Sequence, residues 1–119
     1  MRALPQISEQ VLEQFLGQIW QGYRDFNPSY HNDMHGLDVA QMTYILLETG
    51  SDCLYQQLEL GPIDRMALII AAVCHDYRHD GFNNGYHVAT HSARFDAHGS
   101  EGVQEKFHFA ESYKVVEQS

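Results

Sequence analysis

Gly61-Pro62-Ile63-Asp64-Arg65-Met66-Ala67-Leu68-Ile69-Ile70-Ala71-Ala72-Val73-Cys74-His75-Asp76 is the stretch on which the fold class turns. Its apolar body, Met66 to Cys74, fits a buried strand or a buried helix by periodicity alone. The flanks decide for the helix. Pro62 suits a first helical turn, where its missing N–H has no partner to lose, and Asp64 suits the positive end of the helix dipole. Three alanines in the body favour the same answer. A helix apolar all round predicts burial, and its far end delivers His75 and Asp76 to the edge of a dry core. Ionisable groups in that position need a partner or a metal. The other reading is a polar helix end facing water, where Asp76 sits badly beside the negative terminus.

Outward from this helix the pattern stays helical. From Ser8 to Tyr23 the residues Val11, Leu12, Phe15, Leu16, Ile19, Trp20 and Tyr23 trace one apolar face, with Ser8 as N-cap. Asn27-Pro28-Ser29 breaks it. A second helix is expected from about Asn32 to Glu48, with Leu37, Ala40, Tyr44 and Leu47 on one stripe and Gly50 as its stop. Arg78 to Gly85, with two Gly and two Asn, reads as a turn-rich loop. Thr90 to His98 suggests a short helix, and Val103, Phe107, Ala110, Tyr113 and Val116 mark a final one. No repeat and no alternating strand pattern is evident. The expectation is an all-α helical bundle in one domain.

Composition narrows the partners. Seven Lys+Arg against 16 Asp+Glu give a net charge of −9, which argues against nucleic acid or an anionic membrane as a partner. An anionic substrate stays compatible, because bound divalent cations can reverse the field inside a pocket. Cys53 and Cys74 show no CxxC spacing, and Cys74 reads as a buried thiol. The N-terminal MRALPQISEQVLEQ is too polar for a signal peptide, and no apolar run is long enough to span a bilayer. The expected location is the cytoplasm.

The chain is rich in histidine, with eight in 119 residues, about three times ordinary usage. His31 and His35 stand four apart at the start of the second helix, so one turn aims both imidazoles the same way. Such a pair is more often structural, and no Glu occupies the zincin position. His75 and Asp76 are followed by His79 and Asp80, so four metal-capable side chains crowd six positions. Together these point to a divalent-metal site: imidazole with carboxylate suits zinc, and further oxygen ligands suit magnesium or manganese.

Three segments then carry a resemblance. Tyr30-His31-Asn32-Asp33-Met34-His35, followed by Asp38-Val39, resembles the YHNxxH...DV signature of the class I cyclic nucleotide phosphodiesterases. The run from Leu68 through His75-Asp76-Tyr77-Arg78-His79-Asp80-Gly81 to Asn83-Asn84 is similar to that family's HDxxHxG...N segment. Gly102 to Ala110 (GVQEKFHFA) is similar to its SVLExHHxA segment. The matches span roughly Asn27 to Val116 in family order. Arg78, Asp80 and Phe107 depart from the usual acidic residue, Pro and His, and Ser29 interrupts the usual NPYHN.

The resemblance implies an all-α fold and hydrolysis of 3',5'-cyclic nucleotides, cAMP or cGMP, to 5'-monophosphates with two divalent ions, zinc and magnesium (or manganese). It implies His31 as general acid, and His35, His75 and Asp76 as metal ligands, with Asp76 touching both ions. His79, Glu105 and Asn32 match supporting positions, and Tyr30, Asn83 and Asn84 match positions that line or brace the pocket. It further implies that residues 1–119 are the N-terminal portion of a catalytic domain, with a last ligating Asp and a purine-holding Gln expected downstream. The chain alone is then expected to show little or no activity, and its exposed apolar faces to self-associate. Two other readings stay open: another HD-type phosphohydrolase, or a non-catalytic metal-binding remnant.

Overall fold

The computed structural model describes residues 7–51 and 53–119, and seven helices run through them. In chain order they are α1 (Glu9–Arg24), α2 (Asp33–Glu48), α3 (Leu54–Gln57), α4 (Pro62–Cys74), α5 (Asn84–Thr90), α6 (Ala93–His98) and α7 (Val103–Gln118). Among the described residues there is no strand. The all-α expectation holds.

Local chemistry sets the starts. The Ser8 hydroxyl accepts the Val11 N–H at 3.2 Å to open α1. Asn32 lies outside α2 as its cap, accepting the N–H groups of Met34 and His35 at 3.1 and 3.3 Å. In α4 Pro62 takes the first position, and Asp64 accepts the Gly61 N–H at 3.0 Å. After α2, Gly50 takes φ +89°, the left-handed conformation that stops a helix at least cost to glycine.

Elsewhere the sequence expectation needs correction. The short helix expected over 90–98 is α6 at 93–98, and a further helix, α5, occupies 84–90, where none was expected. Asn83 caps α5 by accepting the Tyr86 N–H, His91 turns the chain at φ +48°, and Ser92 caps α6 by accepting the Phe95 N–H. Polar caps that read as loop composition are helix starts here. The single turn of α3 is too short to show a period. The all-round apolar α4 is not buried either: Ala72 and Cys74 are, but Ile63 is 65% and Leu68 43% exposed. α2 packs along one side of α4, and α1 and α7 touch it elsewhere, which leaves Ile63 and Leu68 uncovered. On α7 the buried row is Val103, Gln104, His108, Ser112 and Val115, so Tyr113 and Val116 of the expected stripe face out.

The core is small and joins three elements: Phe15, Ile19 and Tyr23 of α1, Cys74 and Tyr77 at the end of α4, and Val115 of α7. Two glycines allow the close approach. A Cβ on Gly22 would fall inside the Tyr77 ring, and one on Gly36 would lie 2.9 Å from the Tyr23 ring. Tyr23 therefore wedges α1 against both α2 and α4. Its hydroxyl donates to the Val73 carbonyl at 2.8 Å and accepts the Asp76 N–H at 3.2 Å. That tie fixes the backbone where α4 ends and the candidate site begins. The radius of gyration is 16.0 Å, against about 13.5 Å for a compact domain of this length. The helices form an elongated body, 50 × 32 × 25 Å in extent.

Candidate metal centre

Three chain segments converge on the Asp76 carboxylate: the start of α2, the turn after α4, and α7. Asn32 builds the first. Besides capping α2, its amide donates to the carbonyls of Pro28 and Ser29, which folds 28–35 into the turn that carries His31 and His35. In the second, His75 follows the last residue of α4, and its Nδ1 donates to the Ala72 carbonyl at 2.7 Å. That bond leaves the His75 Nε2 lone pair facing Asp76.

The geometry around one carboxylate oxygen is tight. His35 Nε2 and His75 Nε2 lie 3.1 and 3.0 Å from Asp76 Oδ2, and 3.1 Å from each other. A cation with bonds of about 2.0–2.1 Å holds tetrahedral ligand atoms about 3.3 Å apart and octahedral neighbours about 2.9 Å apart. The observed edges fall between. Three electron-rich atoms at this spacing repel unless a proton or a cation lies among them. Without an ion the proton takes the place: burial alone would raise the Asp76 carboxyl, but its bond to His75 and the nearby His108 and His31 outweigh that and hold it at about 2. The same bond raises His75 against the opposing effect of burial. His31 Nε2 is further off, 4.0 Å from the same oxygen, and is more exposed.

The other oxygen, Asp76 Oδ1, faces a second group. His108 Nε2 lies 3.8 Å away on a side chain only 3% exposed. His108 Nδ1 donates to the Tyr77 carbonyl at 2.6 Å, so Nε2 carries the free lone pair, and that buried atom has no hydrogen-bond partner among the described residues. A buried polar atom left unpaired is costly, and a ligand-seeking nitrogen aimed at a carboxylate is what a cation site needs. His79 completes the group. Its Nδ1 accepts the Gly81 N–H at 2.9 Å, its ring stacks on His31 at 4.1 Å and on His108 at 5.3 Å, and burial lowers it to about 4. The ligand atoms of Asp76, His79 and His108 lie within 4.8 Å of one another, as do those of His31, His35 and Asp76. The donor set fits divalent cations.

The remaining expected residues are placed as follows. Tyr30 is 65% exposed, its ring 4.8 Å from both His31 and His35 at the rim. Asn83 serves as the α5 cap. Asn84 accepts the Gln104 N–H and donates to Glu105 at 3.0 Å, and that bond holds the Glu105 carboxyl below its ordinary value. Asp80, counted among the metal-capable group from sequence, turns away into contacts with His87, Arg94 and Gln104. Two residues that received no role from sequence matter here. His108 was visible only as the retained His of the FHFA segment, and Tyr23 looked like one more apolar position. Both act through contacts 31 and 53 residues distant.

An all-helical frame that gathers imidazoles on both oxygens of one aspartate defines a histidine–carboxylate cluster that could hold a divalent metal. The chain belongs to the 3'5'-cyclic nucleotide phosphodiesterase family, whose profile matches residues 30–119. It is similar to the dual specificity calcium/calmodulin-dependent 3',5'-cyclic nucleotide phosphodiesterase 1 of Drosophila melanogaster, 32% identical over 111 residues, 92% of this chain and 13% of the relative. It is similarly related to the human dual specificity calcium/calmodulin-dependent 3',5'-cyclic nucleotide phosphodiesterase 1B, 32% identical over 107 residues, 89% of this chain and 19% of the relative. The fold matches the crystal structure of the phosphodiesterase domain of the Salpingoeca rosetta rhodopsin phosphodiesterase. There the TM-score is 0.77 at 26% identity, covering 92% of this chain and 31% of that one. The chain thus spans less than a fifth of the curated relatives, and less than a third of the solved domain.

Proposed function

We propose that this chain supplies the metal-binding portion of a centre that hydrolyses 3',5'-cyclic nucleotides, cAMP, cGMP or both, to 5'-monophosphates. The observation that carries this reading is the division of Asp76: Oδ2 faces His35 and His75, and Oδ1 faces His108, with His79 in the same group. One carboxylate shared by two nitrogen-lined spaces suits a pair of divalent ions. His35, His75 and Asp76 would hold zinc, and the space beside Oδ1, with His108 as its nitrogen ligand and His79 and Glu105 as nearby supports, would hold magnesium or manganese. When bound, such ions neutralise phosphoryl charge and make water a competent nucleophile at neutral pH.

The protein's own groups do the rest. Forming a 5'-monophosphate requires the bond from phosphorus to the 3' oxygen to break, and that oxygen needs a proton. His31 is the proposed donor. It is more exposed than His35 and His75, stands further from Asp76, and is backed by His79 and Tyr30. Imidazole is the side chain best suited to donating a proton near neutral pH. Tyr30, Asn83 and Asn84 are proposed to border the substrate, and Asn32 to keep His31 and His35 aimed. The two free, buried thiols Cys53 and Cys74 fit a reducing compartment, and we place the protein in the cytoplasm.

Calorimetry with zinc tests the centre: wild type is expected to bind, and His35→Ala and Asp76→Ala to bind much more weakly. Equal binding by wild type and Asp76→Ala refutes the assigned site. A panel of cyclic and linear phosphate esters, offered to the zinc- and magnesium-loaded chain, tests the substrate class. Turnover confined to linear monoesters would make it a different phosphohydrolase, and cation binding that chelation shows to be purely stabilising would make it a structural remnant.

A further inference from the structure

His79 sits between two residues that are both tied to the same distant guanidinium. Arg94, on α6, is buried, and donates through Nη2 to the Arg78 carbonyl at 2.9 Å. Its Nε lies 3.3 Å from Asp80 Oδ2, and its Nη1 donates to Gln104 Oε1 at 2.7 Å. The face of the guanidinium rests on the Phe107 ring at 3.6 Å. Asp80 is held from further sides, by His87 Nε2 at 3.1 Å, Gln104 Nε2 at 2.8 Å and the Phe82 N–H at 3.1 Å. Arg78 is a non-glycine residue at φ +59°, a conformation that persists only where surrounding contacts impose it. The turn that presents His79 is therefore held by contacts made outside it.

We propose that Arg94 is a positioning residue for His79. By clamping the carbonyl on one side and the carboxylate on the other, it fixes the backbone so that the Gly81 N–H meets His79 Nδ1 and the opposite ring nitrogen turns toward the Asp76 centre. A planar fork with five donors serves three acceptors at once, whereas a lysine ammonium in the same place cannot also stack on Phe107. Asp80 and Phe107 belong to the same device. They replace the Pro and His that the related segments usually carry, and both contact Arg94.

Long-range 1H–15N correlation of the labelled full chain reads this directly. In wild type His79 is expected as a single tautomer with its proton on Nε2. In Arg94→Lys its signals should move toward a tautomer average. Those of His75 and His108, anchored on the Ala72 and Tyr77 carbonyls, should stay in place. Mn2+ titrated into the zinc-loaded chain should bind about tenfold more weakly, the usual scale for losing an outer support of a metal site. An unmoved His79 in folded Arg94→Lys overturns the proposal, as does an equal shift of all three histidines, which marks general loosening. If Arg94→Lys does not fold, Asp80→Asn removes the anion that Arg94 holds while keeping its shape, and an unmoved His79 there is equally decisive against it. The manganese measurement rests on the function proposed above. Failure of wild type to bind Mn2+ would sink that function, while the imidazole signals still decide the role of Arg94.

Discussion

At the scale of single residues, His108 makes the sharpest demand on its surroundings. Its Nδ1 is committed to the Tyr77 carbonyl and its Nε2 is buried without a hydrogen-bond partner among the described residues. His108→Ala is expected to weaken Mn2+ binding to the zinc-loaded chain by about ten- to a hundredfold, read by calorimetry, with zinc affinity nearly unchanged. Equal loss of both ions would show that His108 serves the fold alone. A second residue-level test uses pH. Glu111 bonds Lys114 at 2.8 Å and Arg78 at 3.0 Å, and these cations hold its carboxyl below the ordinary glutamate value against a smaller effect of burial. A depressed folded value contributes stability above the ordinary value of about 4.3, and that contribution disappears as pH falls through the folded value. Glu111→Gln should therefore cost about 0.5 kcal/mol at pH 7, small because the pair is solvent-screened, and less at an acid pH below the folded value. Urea midpoints at the two pH values check it; an equal cost at both would contradict the assignment.

Elements meet through Tyr23 and the two glycines. Tyr23→Phe removes the hydroxyl that bridges the Val73 carbonyl and the Asp76 N–H, and a loss of about 1–2 kcal/mol in urea unfolding is expected, with weaker zinc binding alongside. Unchanged zinc affinity would separate Tyr23 from the site. Gly22→Ala pushes a methyl into the Tyr77 ring and should cost about 1–3 kcal/mol. Gly17→Ala, with nothing within 4 Å of the added carbon, should instead stabilise α1 by about 0.5–1 kcal/mol. The sign difference between two glycines of one helix is the test. Helix type was legible at this scale because α1 and α7 carry long apolar periods and Pro62 and Asp64 mark the start of α4. The α5–α6 break was not, since Asn83, His91 and Ser92 act through φ and capping rather than composition.

Over the whole molecule the helices leave apolar surface open. Ile63, Tyr113 and Phe109, the last 70% exposed, border a groove of about 360 Å³ between α4 and α7. Patches of this kind mark surfaces that pair with other protein. The isolated chain is expected to self-associate with rising concentration in sedimentation velocity and to bind an apolar dye. A clean monomer with no dye signal would contradict this. No helix among the described residues is long and apolar enough to cross a membrane.

The sequence by itself determined the four long helices, the His31–His35 and His75–Asp76 spacings and the family, because each depends on residues near in the chain or on ordered segments. Only the tertiary structure decided which face of α4 is covered, that Asp80 leaves the centre for Arg94 while His108 enters it, and that Tyr23 ties Asp76 in place. Those outcomes depend on which distant backbone groups meet, and periodicity along a chain carries no record of that.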